Sequence, residues 1–190
     1  MAELKDSGER REFESGATRD VQEGKGRCDL LPLDVVATFL GHENYMDEVL
    51  EFINQYVRNG DVGNLYTAVR KFCNRMGMND YTAILEVAIH YEDGARKYQP
   101  RNWEKGIPLH CYIDSGVRHY LKYLRGDMDE PHNRAFIWNM FGAIWTHNNK
   151  PELIDLPFKD NLKEFKSHYS DSEVSGIAVR AKKHRETSFA

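Results

Sequence analysis

The stretch DEPHNRAFIWNMFGAIW, residues 129–145, limits the possible folds more than any other part of this chain. Asp129 or Glu130 can cap a helix and Pro131 falls in its first turn. Beyond that point, apolar residues occupy nearly every face. A helix with no polar side has to be surrounded by others, so this segment is expected to be the central helix of a bundle over residues 130–147. Further helices are expected over 34–40, 44–58, 64–75, 79–98 and 109–125. They are joined by short connectors such as NGDVGN, GMND and RGDMD. Strand-like alternation is scarce, and the class read from this pattern is all-α.

With 190 residues, the chain can bury one core. Residues 1–22 are polar and lack periodicity, and they read as a flexible arm. Residues 23–147 read as the helical domain, with the helices at about 41–78 as an insertion. Residues 148–190 read as a strap, a short helix over 161–168 and a basic tail. The net charge of −4 argues against a nucleic-acid partner, which needs a basic face. No apolar run is long enough to cross a membrane, and the first sixteen residues lack a signal-peptide core, so a cytoplasmic location is expected. Cys28, Cys73 and Cys111 lack metal-site spacing and read as free thiols.

Several helical positions suggest chemistry. On the helix over 79–98, Ile84, Leu85, Val87, Ala88, Tyr91 and Ala95 form an apolar face. Glu86, His90, Asp93 and Lys97 form the opposite stripe, read as wet. Glu92 falls with the apolar set, so it needs either an arginine of the next helix or a cation. Gly94 leaves room for the close approach of a helix or a ligand. On the helix over 109–125 the buried stripe is Leu109, Ile113, Gly116, Val117, Tyr120 and Leu124. Asp114 and Arg118 sit one turn apart at its border, either pairing on the surface or serving a divalent ion and a phosphate. His119 lies toward the other border. His132 and Asn139 share a stripe of the central helix and require hydrogen-bond partners. Asp129 and Glu130 either complement the helix dipole or complete a carboxylate cluster.

Between these helices, the loop QPRNWEKGIP gathers Lys97, Arg101 and Lys105 as cations and Asn102 as a polar contact. Trp103 can stack on a base or plug the core. Upstream, GKGRCD brings Lys25, Arg27 and Asp29 together in a loop. Glu48 and Glu51 have the spacing of a ligand pair but read as a solvated helix face. No His is followed by Asp, which removes the histidine-aspartate phosphohydrolase motif.

Taken in order, GKGRCDLLP, HYEDGARKYQPRNWEKG, YIDSGVRHYLKYLRGD and DEPHNRAFIWN resemble the phage and bacterial dATP/dGTP diphosphohydrolase family, related to the MazG-like all-α nucleoside triphosphate pyrophosphohydrolases. The resemblance spans roughly residues 16–145. It implies a helical homo-oligomer that uses Mg²⁺, with Mn²⁺ as an alternative, to split purine deoxyribonucleoside triphosphates into monophosphate and pyrophosphate. The metal ligands expected on that basis are Glu92, Asp114, Asp129 and Glu130, with Glu92, Asp114, His119 and His132 catalytic. Lys25, Arg27, Asp29, Lys97, Arg101, Asn102, Trp103, Lys105, Arg118 and Asn139 would bind the nucleotide. The paired ExxE and ExxD motifs of MazG-like enzymes are absent in literal form. The alternative is a phage protein that binds a nucleotide without cleaving it.

Overall fold

The computed structural model describes residues 8–41 and 46–159. The expected short helix over 161–168 and the basic tail lie outside them. Residues 1–156 form one compact unit, and a second begins at Pro157.

Six α-helices are present among the described residues: α1 (Leu33–Leu40), α2 (Glu48–Asn59), α3 (Gly63–Arg75), α4 (Asp80–Tyr98), α5 (Leu109–Arg125) and α6 (His132–Asn149). The all-α expectation holds. Local chemistry explains the boundaries. Asp47 caps α2 by accepting from Leu50 N at 3.1 Å, and Asn79 caps α4 by accepting from Thr82 N at 2.9 Å. Each such cap stabilises its helix by about 1 kcal/mol. Gly60 and Gly126 end α2 and α5 in the left-handed conformation, which glycine adopts without a side-chain clash.

α6 lies at the centre, and α5 is its main neighbour, with α3 and α4 flanking it. Two glycines allow the close α5–α6 approach. A Cβ on Gly142 would lie 2.3–2.9 Å from the Tyr112 ring, and one on Gly116 would lie 2.4 Å from Met140 Cε. Phe72, Tyr120 and Phe136 pack edge-on or tilted against one another, with Phe72 and Phe136 centroids 4.6 Å apart. The buried Asp47 also accepts from Tyr120 Oη at 2.7 Å and from Arg75 at 2.8 Å, which fastens α2 and α3 to α5.

Two expectations need correction. Residues 8–22 are not a bare arm: β1 (Arg10–Glu12) and β2 (Thr18–Asp20) form an antiparallel hairpin. The amide of Asn102 pairs with Thr18 N at 3.0 Å and Thr18 O at 2.9 Å, doing for the hairpin edge what a neighbouring strand would. The phase of α4 is also rotated, although Val87 is buried as expected. Ile84 and Leu85 are 54% and 70% exposed, while Ala83, Val87 and His90 are buried and the Lys97 side chain is nearly so. The polar stripe of α4 faces inward because what it faces is itself polar.

Candidate functional site: a cationic cavity

The hairpin, the loop after it, α4, α5 and α6 enclose a cavity of about 390 Å³. Six cationic side chains line it, from Arg11, Arg19, Lys25, Lys97, Arg118 and Lys122, against three carboxylates from Asp20, Asp114 and Glu130. An anion would therefore find a positive recess inside a chain whose net charge is −4.

The cations are held in place by a polar framework. Asp20 accepts from Lys97 Nζ at 2.8 Å and from Tyr98 Oη at 2.7 Å. Arg19 donates to Asn139 Oδ1 at 2.9 Å and to Cys111 O at 3.1 Å, and lies over the rings of Tyr112 and Trp138. Burial lowers the pKa of Arg19 from its ordinary value, though an arginine remains charged. Asp114, 2% exposed, accepts from Gln22 Nε2 at 2.7 Å and Cys28 N at 2.6 Å, and pairs with Arg118. Arg118 in turn donates to Lys25 O at 3.1 Å and Gly26 O at 2.9 Å. The loop over 22–28 is thereby clamped to α5. Among the described residues Lys25 Nζ has no ion-pair partner, and burial lowers its pKa.

Histidines form the inner end. His90 is 6% exposed and lines the cavity, and its Nδ1 has no hydrogen-bond partner among the described residues. Burial, with the charges of Arg134 and Arg19 nearby, lowers its pKa to about 4. His119 Nδ1 and His132 Nδ1 are 3.0 Å apart, and Glu130 Oε1 lies 3.6 Å from the first and 3.7 Å from the second. His132 Nε2 meets Asp129 Oδ1 at 2.8 Å. Burial, then the neighbouring His132, keeps His119 well below the ordinary histidine range.

A second cavity of about 310 Å³ is lined by Tyr91, Tyr98, Trp103 and Trp138 together with Arg101. Gly94, Tyr98, Asn102 and Trp138 border both cavities. A Cβ on Gly94 would meet nothing within 4 Å, so this glycine leaves space beside the cavities and not room for a packed helix.

Of the expected residues, Lys25, Lys97, Asn102, Asp114, Arg118, His119, Glu130 and Asn139 come together at the first cavity, with His132 and Asp129 behind Glu130. Others do not. Glu92 is 61% exposed and pairs with Arg96 one turn on, because the rotated phase of α4 turns it outward. Arg27 and Asp29 pair with each other, and Arg101 pairs with Glu104. Lys105 donates to Gly16 O at 3.2 Å. Asn102 reaches the first cavity with its amide committed to Thr18, whereas Trp103 packs edge-on against Tyr91 and Trp145 beside the second cavity. Glu48 pairs with Lys71 on the surface, in keeping with a solvated face. Arg19, Asp20 and Gln22 were missed because they sit in the segment read as an arm. The Ser15–Gly16 turn between two short polar runs was the available signal.

The expected carboxylate cage for Mg²⁺ does not fit these residues. Mg²⁺ takes an octahedron of oxygens, yet Glu92 points away and Asp114 is saturated by Arg118, Gln22 and a backbone amide. Among the described residues, both groups of three candidate ligands include His132: one with His119 and Glu130, the other with Asp127 and Asp129.

Fold and site together define an all-α protein with a cationic cleft. Residues 73–156 match the model of the dATP/dGTP diphosphohydrolase family, N-terminal region, so this segment is similar to that family. The match covers the end of α3, α4, α5 and α6 and leaves the hairpin and the helices before it outside. Nothing matches among curated proteins or solved structures. No described helix is long and apolar enough to cross a membrane.

Proposed function

We propose that the protein is a nucleoside triphosphate diphosphohydrolase, acting on purine deoxyribonucleoside triphosphates to release the monophosphate and pyrophosphate. The observation that carries this reading is the excess of cationic side chains around the cavity, whose α4, α5 and α6 walls fall in the segment that matches a diphosphohydrolase family model. A triphosphate carries several negative charges, and preorganised cations suit phosphoryl transfer, where positioning and charge neutralisation contribute most of the rate. Arg19, Lys25, Lys97 and Arg118 are the proposed phosphate contacts. The adjoining aromatic cavity, with Trp103 and Trp138, would take the base. Mg²⁺ belongs to this reading as part of the substrate, riding on the phosphates, because the described residues expected to cage it do not converge.

One observation favours a second reading, a binder that does not cleave: Glu92 and Asp114, the acids expected to assemble the chemistry, do not meet. Incubation with Mg²⁺ and dGTP or dATP, followed by product separation, distinguishes the two. Equal amounts of monophosphate and pyrophosphate are expected. Release of inorganic phosphate alone would overturn the cleavage position, and tight retention of intact nucleotide would establish the binder.

A further inference from the structure

We propose that His119, Glu130 and His132 form a site for a divalent transition-metal ion in the wall of the cationic cavity, with Asp129 as its outer partner. Three ligand atoms converge there, separated by 3.0, 3.6 and 3.7 Å. Bonds of about 2.0–2.2 Å to a tetrahedral ion place neighbouring ligand atoms roughly 3.3–3.6 Å apart. The triangle is close to that size, with the imidazole–imidazole edge shorter and the two carboxylate edges at or just beyond the upper end.

Proton accounting points the same way. The contact between His132 Nε2 and Asp129 Oδ1 puts the imidazole proton on Nε2, so Nδ1 presents a lone pair to the other two atoms. One proton can bridge the two imidazoles, but it leaves Glu130 Oε1 facing a second acceptor, with Lys122 Nζ 4.0 Å away. A cation satisfies all three atoms at once. An outer carboxylate on the far nitrogen of a ligating histidine fixes the tautomer and strengthens the ligand, which is the position Asp129 occupies. Two imidazoles and one carboxylate select Zn²⁺, Co²⁺, Mn²⁺ or Fe²⁺ over Mg²⁺.

Access supports a functional ion. His119 and Glu130 line the cavity while His132 is buried behind them, so an ion held by the three keeps a coordination position open toward the cavity. His90 adds an independent observation, as a buried imidazole on the same cavity with an orphaned Nδ1. Such a group calls for a partner supplied by something bound there. The ion itself does not depend on the nucleotide reading. Only the inference that phosphate oxygens would occupy its open position rests on it.

The full chain, stripped of metal with a chelator, is titrated with Co²⁺ alone, Zn²⁺ alone and Mg²⁺ alone by calorimetry, and Co²⁺ binding is followed by visible absorption. The expected result is one equivalent of Co²⁺ with an intense d–d band, displacement by Zn²⁺, and much weaker binding of Mg²⁺. His119→Gln and Glu130→Gln should abolish the band while leaving the urea unfolding transition in place. Asp129→Asn should weaken Co²⁺ binding roughly 10–100-fold. The proposal is overturned if no stoichiometric Co²⁺ binds, if folded His119→Gln and Glu130→Gln bind Co²⁺ as the parent does, or if Mg²⁺ competes on equal terms. Turnover is not read here, so loss of this site leaves the nucleotide reading standing, and an inactive protein leaves the ion standing.

Discussion

Gly94 separates the demands of folding from those of binding. Glycine inside a helix costs about 0.5–1 kcal/mol relative to alanine, and nothing crowds this position. Gly94→Leu should therefore leave the unfolding midpoint unchanged or higher, while filling the space shared by the two cavities. Binding of dGTP, measured by calorimetry, should fall at least tenfold; unchanged affinity would place the nucleotide elsewhere. His90 gives a pH signature. Its pKa of about 4 in the folded chain lies below the ordinary histidine value near 6.5. The unfolded chain therefore takes up a proton that the native state refuses as pH falls between those values. Stability is lost across that window, by about 3 kcal/mol in the limit, and nothing is lost above it. His90→Gln should flatten the urea-derived stability between pH 6.5 and 4 relative to the parent, and parallel curves would contradict the burial argument. At this scale the sequence was partly legible. Asp114, Arg118, His119 and Glu130 were found because polar side chains in apolar helices need a reason. Glu92 was misplaced because the α4 pattern was read as core against solvent, when its polar stripe faces a polar cavity.

Helix boundaries were read to within a residue or two where a cap or a terminal glycine marks them, as at Asn79, Gly126 and Arg125. The start of α2 is the exception: it was expected at 44 and is set at Glu48 by the Asp47 cap. The hairpin was not legible, since strands of three residues carry no usable period and its edge is paired by a side-chain amide from residue 102. The α5–α6 contact yields an element-scale prediction. Gly142 faces a ring that cannot retract, whereas Gly116 faces the tip of a flexible methionine. Gly142→Ala should destabilise the fold by about 1–3 kcal/mol, as overpacking does, and Gly116→Ala by distinctly less. Chemical denaturation of the two variants checks the order, and a reversed order would mean the helices can separate at Tyr112.

For the whole molecule, charge distribution matters more than total charge. A negative chain with a cationic recess repels a polyanion at long range and holds it at short range, and salt screens the two unequally. Affinity for dGTP should fall as ionic strength rises, and Lys25→Ala should reduce both the affinity and the steepness of that fall. Isothermal titration at a series of salt concentrations reads both. Identical salt slopes for parent and variant would remove Lys25 from the binding site.

The hairpin that forms one wall of the cavity is tied down by partners 84, 92 and 120 residues further along the chain. The most remote of these, Arg19 to Asn139, cannot form during synthesis until α6 has left the ribosome, which at roughly 5–20 residues per second is a wait of several seconds or more. Until then Arg11, Arg19 and Lys25 are made but have no pocket to line. The cavity thus takes shape only after α6 has been made.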